Sequence, residues 1–114
     1  MTQSYSQIVG GTERTFKLDY AAGLTFERDM RKSLYETFQE FLGNRWRMRD
    51  AIEIIRLAAV GAGMDEGDAI EFSEGLKDRP FSYAATLATK ILEAAFFGKA
   101  TAEREEIDRV FGSE

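Results

Sequence analysis

The stretch Ile8–Tyr20, "IVGGTERTFKLDY", decides how this chain begins to fold. Phe16 and Leu18 alternate with Thr15 and Lys17, the period of two that marks a strand with one buried face. This predicts short strands over 4–9 and 14–18. Between them Gly10 and Gly11 supply the positive φ that a tight hairpin needs. The rival use of paired glycines is a phosphate cradle, built as G-x-x-x-x-G-K-[ST] or as G-x-G-x-x-G opening a helix. Here the glycines run into a strand and the lysine is missing, so the stretch reads as a hairpin corner. Its outer edge is a place where a partner strand can add.

Downstream of the hairpin the period changes to that of helices. Asp19 caps a first helix over 20–30, which Gly23 weakens. "SLYE", Ser33–Glu36, has the form of a capping box and opens a stripe of Leu34, Phe38, Phe41 and Leu42 with Tyr35 alongside. Gly43 and Asn44 end it. A third helix over 48–60 aligns Ile52, Ile55 and Ala59, widened by Ile54 and Ala58, while Arg49, Glu53 and Arg56 share another side. "GAG", Gly61–Gly63, stops it. Asp65 caps a fourth helix carrying Ala69, Phe72, Ser73 and Leu76, and the single proline, Pro80, forces Arg79 out of helical geometry. A fifth over 82–97 carries Ala84, Leu87, Ala88, Ile91, Leu92 and Ala95, with Gly98 as its stop.

The expected fold is therefore α+β, mostly α: an N-terminal β-hairpin packed on a bundle of about five helices. Residues 1–98 read as one globular domain. Residues 99–114 read as a charged tail, with a weak stripe of Ile107, Val110 and Phe111 that suits a short helix.

Composition narrows the chemistry. With no cysteine and no histidine, the chain has no thiolate nucleophile, no Ser-His triad and no Cys/His zinc site. A net charge of −5 argues against non-specific binding to nucleic acid or acidic lipid. There is no basic leader and no unbroken apolar run of about 18–20 residues, so the expectation is a soluble intracellular protein without a membrane partner.

Three clusters invite a functional reading. The acids of "MDEGDAIEFSE", Met64–Glu74, fail the spacing of an EF-hand, and acids in a first helical turn are what the helix dipole favours. Glu27 and Asp29 point to different faces of their helix, so they do not form a catalytic pair. "NRWRMR", Asn44–Arg49, interleaves Arg45, Arg47 and Arg49 with Trp46 and Met48 in an otherwise acidic chain. Arginine beside tryptophan is typical of binding hot spots, and the same interleaving occurs in nucleic-acid readers. The plain alternative folds Trp46 and Met48 into the core.

The succession of a hairpin ending "GG-x-x-R-T-F-K-L-D-Y", a helix with Phe26-Glu27, a serine-started helix, "RDAIEIIRLAAVGAG" and "A-x-x-I-L-E-A-A-F-F-G" resembles one phage family. It is similar to the small tail proteins of alphaproteobacterial gene transfer agents and related siphophages. These are described variously as tail tube protein or tail assembly chaperone, and their genes lie between those of the major tail protein and the tape measure. The resemblance spans Ile8 to Gly98 and rests on Gly11, Arg14, Phe16, Leu18, Glu27, Asp50, Gly61, Gly63, Ala95 and Gly98. The family usually has a glycine or similar break before the serine helix, whereas "DMRKS" here has none, and the acidic tail runs past the usual end.

The resemblance implies a role in tail morphogenesis in the bacterial host cytoplasm. Between the two descriptions, two strands are too few for a ring subunit that contributes to a continuous β-barrel, and a small acidic helical protein suits a chaperone. Such a chaperone would bind tape measure protein, major tail protein or both, would need no cofactor, metal or catalytic residue, and would not be an enzyme. Self-association is compatible with it. The expected partner-binding residues are Arg45, Trp46, Arg47 and Met48, with Phe96, Phe97 and Phe111 toward the other end, because a helix rarely buries two adjacent large residues equally. The alternatives are a structural tail component retained in the particle and a small nucleic-acid-binding regulator acting through Arg45, Arg47 and Arg49.

Overall fold

A computed structural model describes residues 4–98. Ser4–Val9 (β1) and Thr12–Lys17 (β2) pair antiparallel, from Ser4 opposite Lys17 to Val9 opposite Thr12. Only Gly10 and Gly11 remain in the loop, at φ 61° and 85°, the double positive φ of a type I′ turn. The second strand thus starts two residues earlier than the 14–18 expected and ends at Lys17, because a two-residue loop lets the ladder begin directly after Gly11. Leu18 has left the ladder but is buried with Phe16 in the core.

Five helices follow: α1 (Tyr20–Met30), α2 (Leu34–Leu42), α3 (Met48–Gly61), α4 (Glu66–Gly75) and α5 (Phe81–Phe97), with a 3-10 turn at Leu76–Asp78. The architecture is the expected α+β, mostly α. Asp19, Ser33 and Asp65 cap as predicted, accepting from the backbone N–H groups of Ala22, Glu36 and Gly67 at 2.9, 2.9 and 3.0 Å. Leu76 is buried as predicted but sits in the 3-10 turn rather than in α4. Arg79 is extended before Pro80, and α5 starts at Phe81, one residue early, because Pro80 itself takes the capping position.

α3 is the centre of the fold. It buries Asp50, Ala51, Ile54, Ile55, Leu57, Ala58 and Ala59 and packs against β2, α1, α4 and α5. A helix buried around so much of its circumference hides more than the single stripe predicted for it, which omitted Ala51 and Leu57. α5 packs on it and buries Ala84, Ala85, Leu87, Ala88, Ile91, Leu92 and Ala94, among which the alanines let two helix axes come close.

The two glycines of "GAG" do different jobs. Gly63, at φ 110°, makes the turn, and Met64 N–H donates to Ala59 C=O at 3.0 Å to close the helix end. Gly61 is still helical, so α3 runs one residue past the predicted end. A Cβ at position 61 would lie 2.0 Å from the Lys17 carbonyl oxygen. Gly61 is there so that the end of β2 can rest directly on the α3 backbone.

The missing glycine before α2 is replaced by strain. Arg31 adopts φ 58°, ψ 42°, with its N–H donating to Glu27 C=O at 2.9 Å. A left-handed non-glycine residue costs about 1–2 kcal/mol. α2 then buries Thr37, Phe38 and Phe41, a face rotated toward Thr37, so Leu42, placed in the core stripe by sequence, is 53% exposed.

Lys32 holds this corner from inside. Its Nζ donates to Glu40 Oε1 at 2.6 Å and to Asp50 Oδ2 at 2.8 Å, and Asp50 is 1% exposed. Burial alone would lower the lysine's pKa, but the hydrogen bonds and charges of Asp50 and Glu40 outweigh it and the ammonium titrates above its usual 10.5. The Glu40 carboxyl, hydrogen-bonded to Lys32 with Arg47 and Arg45 nearby, titrates below its usual 4.5.

Three stability effects are expected. Helix propensity alone would make Gly61→Ala favourable by about 1 kcal/mol, yet the collision with Lys17 lowers stability by about 2 kcal/mol or more in urea unfolding. Arg31→Gly raises it by about 0.5–1 kcal/mol by relieving the left-handed strain. Lys32→Met strands the buried Asp50 charge and costs about 3–5 kcal/mol, part of which Asp50→Asn restores. In the wild-type chain the Glu40 contribution fades as pH falls from 4.5 through its depressed value, since the unfolded chain takes up the proton first. The Lys32 contribution fades as pH rises from 10.5 through its raised value. Unfolding curves across pH read both, and Lys32→Met removes the Lys32 share of the alkaline loss, leaving that of Tyr5, whose phenol is held above its usual 10.0 by burial.

Candidate functional site

The adjacent phenylalanines that end α5 cannot both point into the core, and the structure shows how they are accommodated. Phe38 of α2 is buried. Phe96 stacks on it with ring centroids 4.9 Å apart and planes 9° from parallel, while Phe97 meets it edge-on at 5.7 Å. Tyr35 closes on Phe96 edge-on at 6.1 Å. One buried ring therefore supports several that keep an outer face in water: Phe96 is 38%, Phe97 55% and Tyr35 60% exposed.

α1 continues the surface. Its buried residues are Ala22, Gly23 and Phe26. Tyr20 and Leu24, one turn apart, lie on the opposite side of the wheel and are 88% and 64% exposed. Between α1, α2 and the end of α5 runs an open groove of about 440 Å³, lined by Leu18, Tyr20, Leu24, Leu34, Tyr35 and Phe96 together with Gly23 and Ala95.

The two acids that line the groove, Asp19 and Glu27, are engaged in holding it together. Asp19 caps α1, and Glu27 Oε2 accepts from the Leu34 N–H at 2.7 Å, tying α1 to the start of α2. What the groove offers a ligand is apolar and aromatic area with its polar neighbours already hydrogen-bonded. That arrangement suits an apolar helical face, not a reacting group.

Of the residues singled out by sequence, Phe96 and Phe97 come together here, on Phe38. Arg45, Trp46, Arg47 and Met48 follow the other end of α2. Trp46 is half-buried and stacks on Phe41 at 6.3 Å, Met48 is 37% exposed, and Arg45, Arg47 and Arg49 are exposed. Trp46 is thus partly the core residue of the plain alternative, while its arginine neighbours face solvent. Phe111 lies outside the described residues. Tyr20, Leu24 and Tyr35 were missed; the available signal was large apolar side chains placed off the buried stripes of α1 and α2. The acids Asp65, Glu66, Asp68, Glu71 and Glu74 are all exposed. Among the described residues no group of three or more acidic, cysteine or histidine side chains is placed to hold a metal, and no helix is long and apolar enough to cross a membrane.

A family model described as phage tail tube protein, GTA-gp10, matches residues 4–98. No curated protein and no solved structure matches the chain. The match runs from β1 through the glycine that ends α5 and so takes in the hairpin, the central helix and the whole groove. The chain belongs to this family of phage and gene-transfer-agent tail proteins.

Proposed function

We propose that this chain is a tail assembly chaperone. It holds an apolar helical stretch of the tape measure protein, in the cytoplasm of the bacterial host, until the tail tube polymerises around it. The observation that carries the reading is the groove. Tyr20, Leu24, Tyr35 and Phe96, from three helices, leave large apolar side chains in water along it, with Phe97 next to Phe96 on Phe38, and clustered exposure of this kind marks a protein-binding surface where scattered residues do not. A groove between helices is also the usual seat of an amphipathic helix. On this reading the chain acts by binding and not by catalysis, without cofactor or metal. Arg45, Trp46, Arg47 and Met48 form a second contact at the far end of α2, for tape measure or major tail protein. Because the described part of the chain has only one two-stranded sheet, it has few strands to give a tube wall.

The second reading, a structural component that stays in the particle, is favoured by the family's description as tail tube protein. The two separate experimentally. Co-expression with a tape measure fragment keeps the fragment soluble when the chain is wild type, and purified particles contain no copy of the chain by mass spectrometry. Tyr20→Asp with Leu24→Asp leaves circular dichroism and unfolding midpoint unchanged, since both side chains are mostly exposed, yet weakens capture of the fragment at least about tenfold. A fragment that stays soluble by itself overturns the chaperone reading. Stoichiometric retention of the chain in particles establishes the structural one.

A further inference from the structure

We propose that the groove has an occupant within the same chain: residues 99–114 fold back and dock Ile107, Val110 and Phe111 against Tyr20, Leu24, Tyr35 and Phe96 whenever no partner fills it.

The first argument is where the chain leaves the fold. α5 ends at Phe97, and Gly98 turns the chain at φ 81°. Phe96, in the last turn before that exit, is itself a wall of the groove. The segment therefore starts at the groove's rim and needs no long crossing to reach it. Eight residues stand between Gly98 and Ile107, and the nine steps from one to the other reach about 30 Å if extended.

The second argument is chemical fit. In "TAEREEIDRVFGSE" the large apolar side chains Ile107, Val110 and Phe111 stand at i, i+3 and i+4, the spacing that puts three anchors on one helical face. On that template Glu105, Glu106 and Asp108 fall on the remaining arc. A face of one isoleucine, one valine and one phenylalanine matches a groove whose lining is aromatic and aliphatic and whose carboxylates are already hydrogen-bonded.

The third argument is effective concentration. A short tether presents the segment at roughly millimolar concentration. A segment that would bind the groove at only about 100 μM when free is then docked about nine-tenths of the time. A partner helix must displace it, so the tail sets a threshold: weakly apolar stretches are refused and strongly apolar ones accepted. That consequence rests on the chaperone reading; the docking does not.

Because the chain has no cysteine, a single label can be placed without interference. Glu114→Cys carrying a nitroxide, in the ¹⁵N-labelled full-length chain at low concentration, broadens the amide signals of Leu24 and Tyr35 while those of α4 stay sharp. Adding Ile107→Asp and Phe111→Asp restores the groove signals. Unbroadened groove signals in the first sample overturn the proposal. So does broadening that appears only when spin-labelled unlabelled-nitrogen chain is mixed with unmodified ¹⁵N chain, which assigns the groove to a second copy. For the threshold, the Ile107→Asp, Phe111→Asp chain captures a tape measure fragment about tenfold more tightly than wild type. Docking without that gain removes the competition. A wild-type chain that docks its tail but captures no fragment, even with the tail substitutions, removes the chaperone reading and leaves the docking standing.

Discussion

A side chain at position 61 would collide with the carbonyl oxygen of Lys17, and much of the remaining structure follows from avoiding that collision. The contact brings the end of β2 onto the last turn of α3. It delivers Leu18 into the core and places Asp19 where it starts α1. Since α3 also carries α4 and α5 on its other sides, the position of the hairpin against this one glycine sets where α1 lies relative to α5. The space between those two helices, with α2 alongside, is the groove. Hairpin and groove are remote in sequence, but the bare helix backbone at Gly61 couples them.

The parts legible in the sequence were those governed by local rules. The I′ turn at Gly10–Gly11, the caps at Asp19, Ser33 and Asp65, and the break at Pro80 each depend on a few neighbouring residues, and each was found where the residues put it. What escaped depends on tertiary contacts. Arg31 carries no signature of left-handed geometry; it is held there because only three residues separate the end of α1 from the start of α2 around the Glu27–Leu34 bond. Lys32, Glu40 and Asp50 look like three surface charges until folding brings them together. Gly61 looked like half of a helix stop because a glycine near a helix end usually is one. The groove was half legible: the paired phenylalanines announced it, but Tyr20 and Leu24 belong to a helix whose outer face could be identified only once its inner face was known.

The ion triad and the groove also divide α2 between them. On one side Glu40 reaches Lys32, which in turn reaches Asp50 of α3, so three charges hold the α1–α2 corner against the central helix. On its buried face Phe38 and Phe41 present rings to Phe96, Phe97 and Trp46. A buried ammonium held by two carboxylates is a directional device; it fixes where α2 sits but adds little net stability over an apolar substitute. Stacked aromatic rings are less demanding about direction. The charged corner therefore fixes the position of α2, and with it the buried ring of Phe38 that supports the exposed phenylalanines.

That support bears on why the aromatic end of α5 is left incompletely covered. Burying Phe96 and Phe97 fully would have required another helix against α1 and α2, and since the two rings are already about half covered, removing their remaining exposure would stabilise the fold by about 1.5–3 kcal/mol. The described fold forgoes that gain and supports both rings on one buried neighbour instead. A free energy of this size left unused at one surface is available to whatever covers it, whether a partner helix or the chain's own tail on the proposed readings. With two competing occupants the surface responds to the difference between them and not to the total. A tail that recovers only part of the available burial would keep the groove covered in the absence of a partner, yet would yield to a longer apolar face that recovers more.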